Sequence, residues 1–304
     1  MTGSNSEESL KASIVAEFVA RITDGKKDHT SRFYEIFSSR GFLLERDAVS
    51  GSVRLSNDSH REDGDFLEVL KDINYKKLSH KSHQDSIDRD NGQDITKPDH
   101  AFFDTIDTQE FDIDNTEYLR EIFMNKIPVD LFRLNWERDW YGKFHQFKKY
   151  EHLPRIRVYD LEPFIARLVK SVSSIGISSW SSCEGHWGEP AHINFDRKYN
   201  RLWFQAILNK FIREKLHLNC RWEWWENRCT IRSPRGDLLE LYLEIQEVAR
   251  LIYDYGKVLR NIKKHSCSLL TDKHKDMNKK ELLAAFENLF EISMDEINQE
   301  LTNG

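Results

Sequence analysis

The stretch DLEPFIARLVKSVSSIGISSWSSCEGHWGEPAHINF, residues 160–195, decides the fold of this chain. It opens with apolar residues at helical spacing, which predict a helix that Asp160 can cap and Gly176 can end. Two short segments rich in β-forming residues follow, at Ile177–Ser182 and Ala191–Phe195. The stretch therefore predicts the order helix, strand, strand.

The same order recurs immediately afterwards. The spacing of apolar residues predicts a helix over Tyr199–Leu216 and two strands over Leu218–Trp225 and Arg228–Arg232, with a tight turn at Glu226-Asn227. A repeated α-β-β unit predicts an α+β fold with a four-stranded, largely antiparallel sheet and helices on one face.

Helices are also predicted beyond the repeat. Asp237 and Glu240 form a capping signature for a long helix from Leu238 to about Ile262. Residues 263–275 read as a polar connection, and Lys279–Ile292 as a final amphipathic helix. This last helix can dock on its own domain or pair with a protein partner or a second copy of the chain.

The N-terminal region is predicted to be helical, with a hairpin formed by Phe42–Asp47 and Val53–Leu55. Two helices and a hairpin resemble a winged helix, but a third helix and a concentrated basic face are missing, which favours a helical adaptor over DNA reading. The predicted organisation is a helical and hairpin region at 1–56, an acidic polar linker at 57–117, a tryptophan-rich α+β domain at 118–262 and a C-terminal helical tail at 263–304.

Composition narrows the class of protein. Four cysteines among 304 residues, no apolar N-terminal segment and no apolar run of eighteen residues predict a reduced, soluble, cytoplasmic protein without membrane association. The net charge of -6 is unevenly divided, since residues 1–117 hold 15 basic and 25 acidic side chains and residues 118–304 hold 30 and 26. All eight tryptophans lie between 136 and 225. A basic segment rich in aromatic residues is typical of a nucleotide or nucleic-acid ligand.

The segment between the first two predicted strands carries more chemistry than a hairpin requires. It places a thiol, an imidazole and carboxylates on a frame with glycines that permit close backbone approach to a ligand. Strand alternation places a second set of polar side chains on one basic face of the sheet. The predicted ligand-binding residues of the loop and the face are Ser182, Glu184, Gly185, Gly188, His192, Asn194, Arg221, Arg228 and Arg232.

Three mechanisms are compatible with the loop. Cys183 could act as a nucleophile with His186 as its base, which would make the protein a cysteine-dependent enzyme. Cys183, His186, Cys220 and Cys229 are permitted zinc ligands, but their spacing matches no familiar zinc module, and no metal is assigned. We favour non-covalent binding of a nucleotide-like or nucleic-acid group, with catalysis left open and no cofactor identified. A non-enzymatic adaptor protein is the main alternative.

Ser181-Ser182-Cys183-x-Gly185 resembles the Ser-Ser-Cys-x-Gly signature of the tRNA wybutosine-synthesising methyltransferase family. The resemblance covers these five positions and their strand-loop-strand context, and His186 stands where the family has an arginine. It implies S-adenosylmethionine as the cofactor and a tRNA as the substrate.

Overall fold

The computed structural model describes residues 3–60, 62–72, 105–124, 147–148, 156–186 and 189–303. The chain divides into two compact units, one formed by Met1–Arg133 with Ile156–Pro163 and the other by Leu134–Arg155 with Phe164–Gly304. Most of the predicted acidic linker, including Ser79–Asp99, lies outside the described residues.

The first unit combines helices with a short hairpin, as the sequence predicts for its N-terminal part. Leu44 pairs with Leu55 in the antiparallel hairpin, whose turn is closed by backbone amides donating to the Asp47 carboxylate. Its elements are α1 (Gly3–Ile22), α2 (His29–Arg40), β1 (Leu44–Arg46), β2 (Val53–Leu55), α3 (Glu62–Asp72) and α4 (Thr116–Met124).

Aromatic packing and a buried cation hold the first unit together. The rings of Phe33 and Phe37 stack with centroids 4.3 Å apart. The Arg40 side chain is fully buried; its Nε donates to the Ile122 carbonyl at 3.0 Å, and its guanidinium lies 5.4 Å from the centroid of the Phe66 ring. A buried guanidinium loses its hydration. Here a hydrogen bond to a carbonyl and a cation–π contact with an aromatic ring compensate part of that loss.

The second unit confirms the predicted α+β fold and its repeated α-β-β unit. A π-helical turn at Leu208–Ile212 and a last α-turn at Arg213–Lys215 extend the helix of the second repeat. The elements are α5 (Pro163–Ser174), β3 (Ser179–Cys183), β4 (Ala191–Phe195), α6 (Arg197–Ile207), β5 (Arg221–Trp225), β6 (Arg228–Arg232), α7 (Leu238–Asp254), α8 (Gly256–Leu269), α9 (Lys273–Asp276) and α10 (Lys279–Asn303).

The four strands of this unit form one antiparallel sheet in the order β3-β4-β6-β5. The β5–β6 turn is formed by Glu226-Asn227, as predicted, with Glu226 in the left-handed region at a φ of 47°. Buried side chains of β4 and β6, among them Ile193 and Ile231, belong to the core that the helices also build. The sheet thus has its apolar side against the core.

Three local predictions about helices in this region are wrong. Helix α5 begins at Pro163, and Asp160 instead lies in a 3-10 turn, where its carboxylate accepts from Arg157 at 2.7 Å. The long helix predicted from Leu238 breaks at Tyr255, which connects α7 to α8. The predicted polar connection at 263–275 is helical as far as Leu269, because Ile262 and Cys267 are buried.

The C-terminal helix α10 docks on its own unit. Phe286 lies 5.4 Å from Trp203 of α6, measured between ring centroids, and Phe290 lies 6.0 Å from the same indole. Asn209 donates to Glu287 at 2.7 Å beside this contact. The apolar face that the sequence offers to a partner is filled from within the chain at these positions. Among the described residues, no helix combines the length and apolarity needed to span a membrane.

Candidate nucleic-acid interface

The sheet of the second unit has a polar side opposite its apolar side. In β6, Cys229 and Ile231 are buried while the residues at both strand ends are exposed, and in β5 Trp222 is buried between exposed neighbours. Side chains alternate between the two sides of a strand, so the strand register places the side chains that do not face the core together on the opposite side of the sheet. We call their surface the outer face: Ser181 and Cys183 of β3, His192 and Asn194 of β4, Arg221, Glu223 and Trp225 of β5, and Arg228, Thr230 and Arg232 of β6.

One row of the outer face crosses all four strands, and side-chain hydrogen bonds connect its members on three of them, β3, β4 and β6. Ser181 lies opposite Asn194, Asn194 opposite Arg228, and Arg228 opposite Trp225. The Asn194 side chain donates to Ser181 Oγ at 2.8 Å and accepts from Arg228 Nε, also at 2.8 Å. Asn194 is only 7% exposed, whereas Trp225 at the end of the row is 75% exposed. The row therefore presents a positioned guanidinium beside a solvent-facing indole.

Arginines also mark the opposite end of β5 and β6. Arg221 and Arg232 are register partners, and both are exposed. The carboxylate of Glu223 lies 3.4 Å from Arg232 Nε. Arg232 lies four positions after Arg228 in β6, which corresponds to about 13 Å along an extended strand. The outer face thus carries three arginines and one carboxylate, a net positive surface of that length.

The loop after β3 is held by the core at its start. Glu184 is buried, and its carboxylate accepts from the Phe164 amide at 2.9 Å, so it caps α5 from 20 residues away. Gly185 has a φ of +85°, and a Cβ there would lie 2.8 Å from the Ala191 amide nitrogen. The Gly185 carbonyl accepts from the buried Tyr242 hydroxyl at 3.2 Å. These two predicted ligand-binding residues are given structural roles.

The remaining predicted loop residues separate. Ser182 pairs with Ile193 and so belongs to the apolar side of the sheet, while Cys183 pairs with His192 on the outer face. Gly188 lies outside the described residues. The predicted outer-face residues His192, Asn194, Arg221, Arg228 and Arg232 do share one surface.

Cys183 and His186 are close enough to interact. The Cys183 thiol is partly exposed, and a ring nitrogen of His186 lies within 4.8 Å of its sulfur. The other two cysteines considered as zinc ligands point elsewhere: Cys229 opposes Ile193 on the apolar side, and Cys220 is buried before β5. Burial raises the pKa of the Cys220 thiol to about 12, and burial also raises that of Cys229. These four residues do not converge on one metal position.

The ligand-binding residues predicted from the sequence did not include Trp225, nor its outer-face neighbours Ser181, Glu223 and Thr230. Alternation from Glu223 places position 225 on the polar side, so the signal was present in the strand pattern. Trp222 is its contrast on the apolar side, where its indole Nε1 donates to Glu244 at 2.7 Å. The same carboxylate accepts from the Cys220 amide at 2.9 Å and fixes the start of β5.

Comparison with known proteins adds no information about the site. The chain matches no known protein-family model, no curated protein and no solved structure.

Proposed function

We propose that the outer face binds single-stranded nucleic acid, with RNA as the first candidate. The observation that carries the proposal is the hydrogen-bonded row that ends in the exposed Trp225 beside Arg228. An exposed indole is a stacking surface for a base, and arginines along the same strands are partners for phosphates.

The shape of the surface favours a single strand over a duplex. Recognition in a duplex groove uses an inserted helix or ribbon, whereas single-strand binders offer a face on which splayed bases stack. Trp225, Arg228 and Arg221 lie on the exposed strands of a sheet whose other side is core. Unpaired bases can therefore reach the indole while their phosphates reach the arginines.

The outer face supports ligand binding, and this proposal includes no chemical reaction. Trp225 lies on β5, at the opposite edge of the sheet from Cys183 of β3, and Arg228 lies on β6, with β4 between it and β3. The proposed stacking and phosphate contacts use Trp225 and the arginines and not the thiol, so Cys183→Ser is expected to leave binding largely intact. A cysteine-dependent reaction would instead lose its turnover in that variant.

Fluorescence anisotropy with a labelled 12-nucleotide RNA of mixed sequence tests the proposal. Trp225→Ala is expected to weaken binding by about 5- to 150-fold, because stacking is worth about 1–3 kcal/mol per base. Arg228→Ala should also weaken binding, because it removes a cation beside the indole. Arg213→Ala, which removes an exposed arginine from a helix, is the matched control. Affinity should also fall as the salt concentration rises, because cations of the protein that neutralise phosphates release counterions on binding. Undiminished binding by both outer-face variants would overturn the proposal.

A further inference from the structure

We infer that Arg228 recognises a guanine base that is stacked on Trp225. The proposed interface would then bind single strands that contain guanine more tightly than those that lack it. This inference rests on the proposed function and adds base specificity to it. It depends on how the guanidinium is oriented and on what it faces.

The orientation of Arg228 is fixed by a relay through β4. Its Nε donates to Asn194 Oδ1 at 2.8 Å, and the amide of Asn194 is itself held by its donation to Ser181 Oγ at 2.8 Å. Because Asn194 is 7% exposed, its amide has little freedom to turn. A flexible arginine tracking phosphates would not need such a support.

The hydrogen bond through Nε leaves the Nη groups of Arg228 for a ligand. Within the part of the chain that the structure describes, no acceptor or carboxylate is bonded to them. A guanidinium is planar and presents its donors in a fixed fork, so a support at Nε also sets the direction of the remaining N–H groups. The fork is therefore preorganised.

Trp225 supplies the plane on which a base would lie. Trp225 and Arg228 are register partners, and directly opposed side chains in an antiparallel pair have Cβ atoms about 4.5–5.5 Å apart. The indole is 75% exposed, so a base can cover it. A base stacked there directs one edge across the neighbouring strand, where the guanidinium stands.

The donor pattern selects guanine among the four bases. Guanine presents two acceptors, O6 and N7, on one edge, and these match two donors of an arginine fork. On the corresponding edge, the one that faces the major groove in a duplex, adenine replaces O6 with an amino donor, cytosine presents an amino donor, and uracil presents one carbonyl acceptor, O4. Through that edge each of them leaves at least one Arg228 donor unpaired. Cytosine has two adjacent acceptors, O2 and N3, only on its pairing edge, and the RNA with a central cytosine tests that alternative. If Arg228 met only phosphate, no base preference would result.

This inference is tested by measuring the affinities of the 304-residue chain for a series of nine-nucleotide oligouridine RNAs with one central replacement. A central guanine is expected to bind at least about fivefold more tightly than adenine, cytosine or uracil, because a bidentate pair discriminates by about 1–3 kcal/mol. Inosine keeps O6 and N7 and should retain the preference. A 7-deazaguanine lacks N7 and should lose it.

Variants then attribute the preference to the relay. Arg228→Lys keeps the charge but removes the fork, so the ratio of the affinity for the central-guanine RNA to that for plain oligouridine should fall to about one. Asn194→Ala should reduce the preference by freeing the guanidinium. Arg221→Lys, on the same face but outside the row, should retain it. Circular dichroism and the melting temperature establish that each variant is folded.

The outcomes separate the two proposals. If all the oligonucleotides bind equally and Trp225→Ala weakens every one of them, base recognition is wrong while single-strand binding stands. If none of them binds, both are wrong. A guanine preference that survives in Arg228→Lys would also overturn the role given to Arg228.

Discussion

Each hairpin of the sheet belongs to its own copy of the repeated α-β-β unit, but the two are built differently. The second, β5–β6, turns within two residues and exposes Trp225 and Arg228 beside its turn. The first, β3–β4, has a longer loop whose Glu184 and Gly185 are tied to α5 and α7. The loop with the richest chemistry is thus anchored at its start, whereas the simpler hairpin presents the exposed aromatic and cationic groups.

The contrast shows a division of labour within the outer face. The first hairpin contributes Ser181 and Asn194, which orient a side chain of the second hairpin through hydrogen bonds. Arg228 and Trp225 then face solvent. Damage to the first hairpin should therefore appear mainly as lost stability, and damage to the second mainly as lost binding.

The largest loss of stability is expected for Gly185→Ala in the first hairpin. The new Cβ would lie 2.8 Å from the Ala191 amide nitrogen, at a φ of +85°. Left-handed strain and the clash together should lower the free energy of unfolding by about 2–4 kcal/mol in urea denaturation. Gly236→Ala is the control, since Gly236 has a φ of +71° but no atom within 4 Å of its Cβ position, and strain alone should cost about 1–2 kcal/mol. Equal losses would refute the close packing of the loop.

A buried lysine supports the chain just before the first hairpin and should make stability depend on pH. Lys263 donates to the Gly176 carbonyl, and burial lowers its pKa to about 8. Between about pH 8 and pH 10 the unfolded chain therefore holds more protons at this site. The free energy of unfolding of the wild type relative to Lys263→Met should rise by at most about 1.4 kcal/mol per pH unit.

Urea titrations of both proteins across this range check that prediction. Burial also raises the pKa of the neighbouring Cys267 to about 11, which gives the opposite slope at high pH in both proteins. The difference between them largely removes that contribution. A difference that stays constant from pH 7 to pH 10 would contradict a depressed pKa at Lys263.

Loss of the distant helix cap should cost less. Glu184→Gln weakens the charge-assisted bond to the Phe164 amide at the start of α5, and we expect a loss of about 1–2 kcal/mol in the free energy of unfolding. Glu189→Gln, in the exposed part of the same loop, should change it by less than about 0.5 kcal/mol. Similar values for the two variants would show that Glu184 is not a cap.

The smallest effect is expected at the turn of the second hairpin. Glu226 adopts a φ of 47°, which asparagine tolerates better than glutamate. Glu226→Asn should raise the free energy of unfolding by about 0.5 kcal/mol and thus raise the melting temperature slightly. A lower melting temperature would contradict the turn geometry.

Local patterns predicted what local interactions determine. Alternation in 218–232 and the Glu226-Asn227 turn were enough to place Arg221, Arg228 and Arg232 on one face. They could not reveal that Glu184, and not Asp160, caps α5, because that bond joins residues 20 apart in the chain.

The same limit applies to the outer face. The bond from Arg228 to Asn194 depends on the order of strands in the sheet, which no single strand encodes. The break at Tyr255 likewise depends on tertiary packing, because Leu259 and Ile262 are buried after it. The features that sequence patterns could not predict are therefore mostly contacts between residues that are far apart in the chain.

The most direct test of the account follows the indole N–H resonances of the protein in ¹H–¹⁵N spectra as single-stranded RNA is added. Tryptophan-to-phenylalanine variants assign the resonances. We predict that the Trp225 signal shifts or broadens in proportion to bound RNA. The signal of Trp222, whose indole is bonded to Glu244 on the apolar side, should stay in place. A Trp225 signal that does not respond to RNA binding would contradict the assignment of the outer face as the interface.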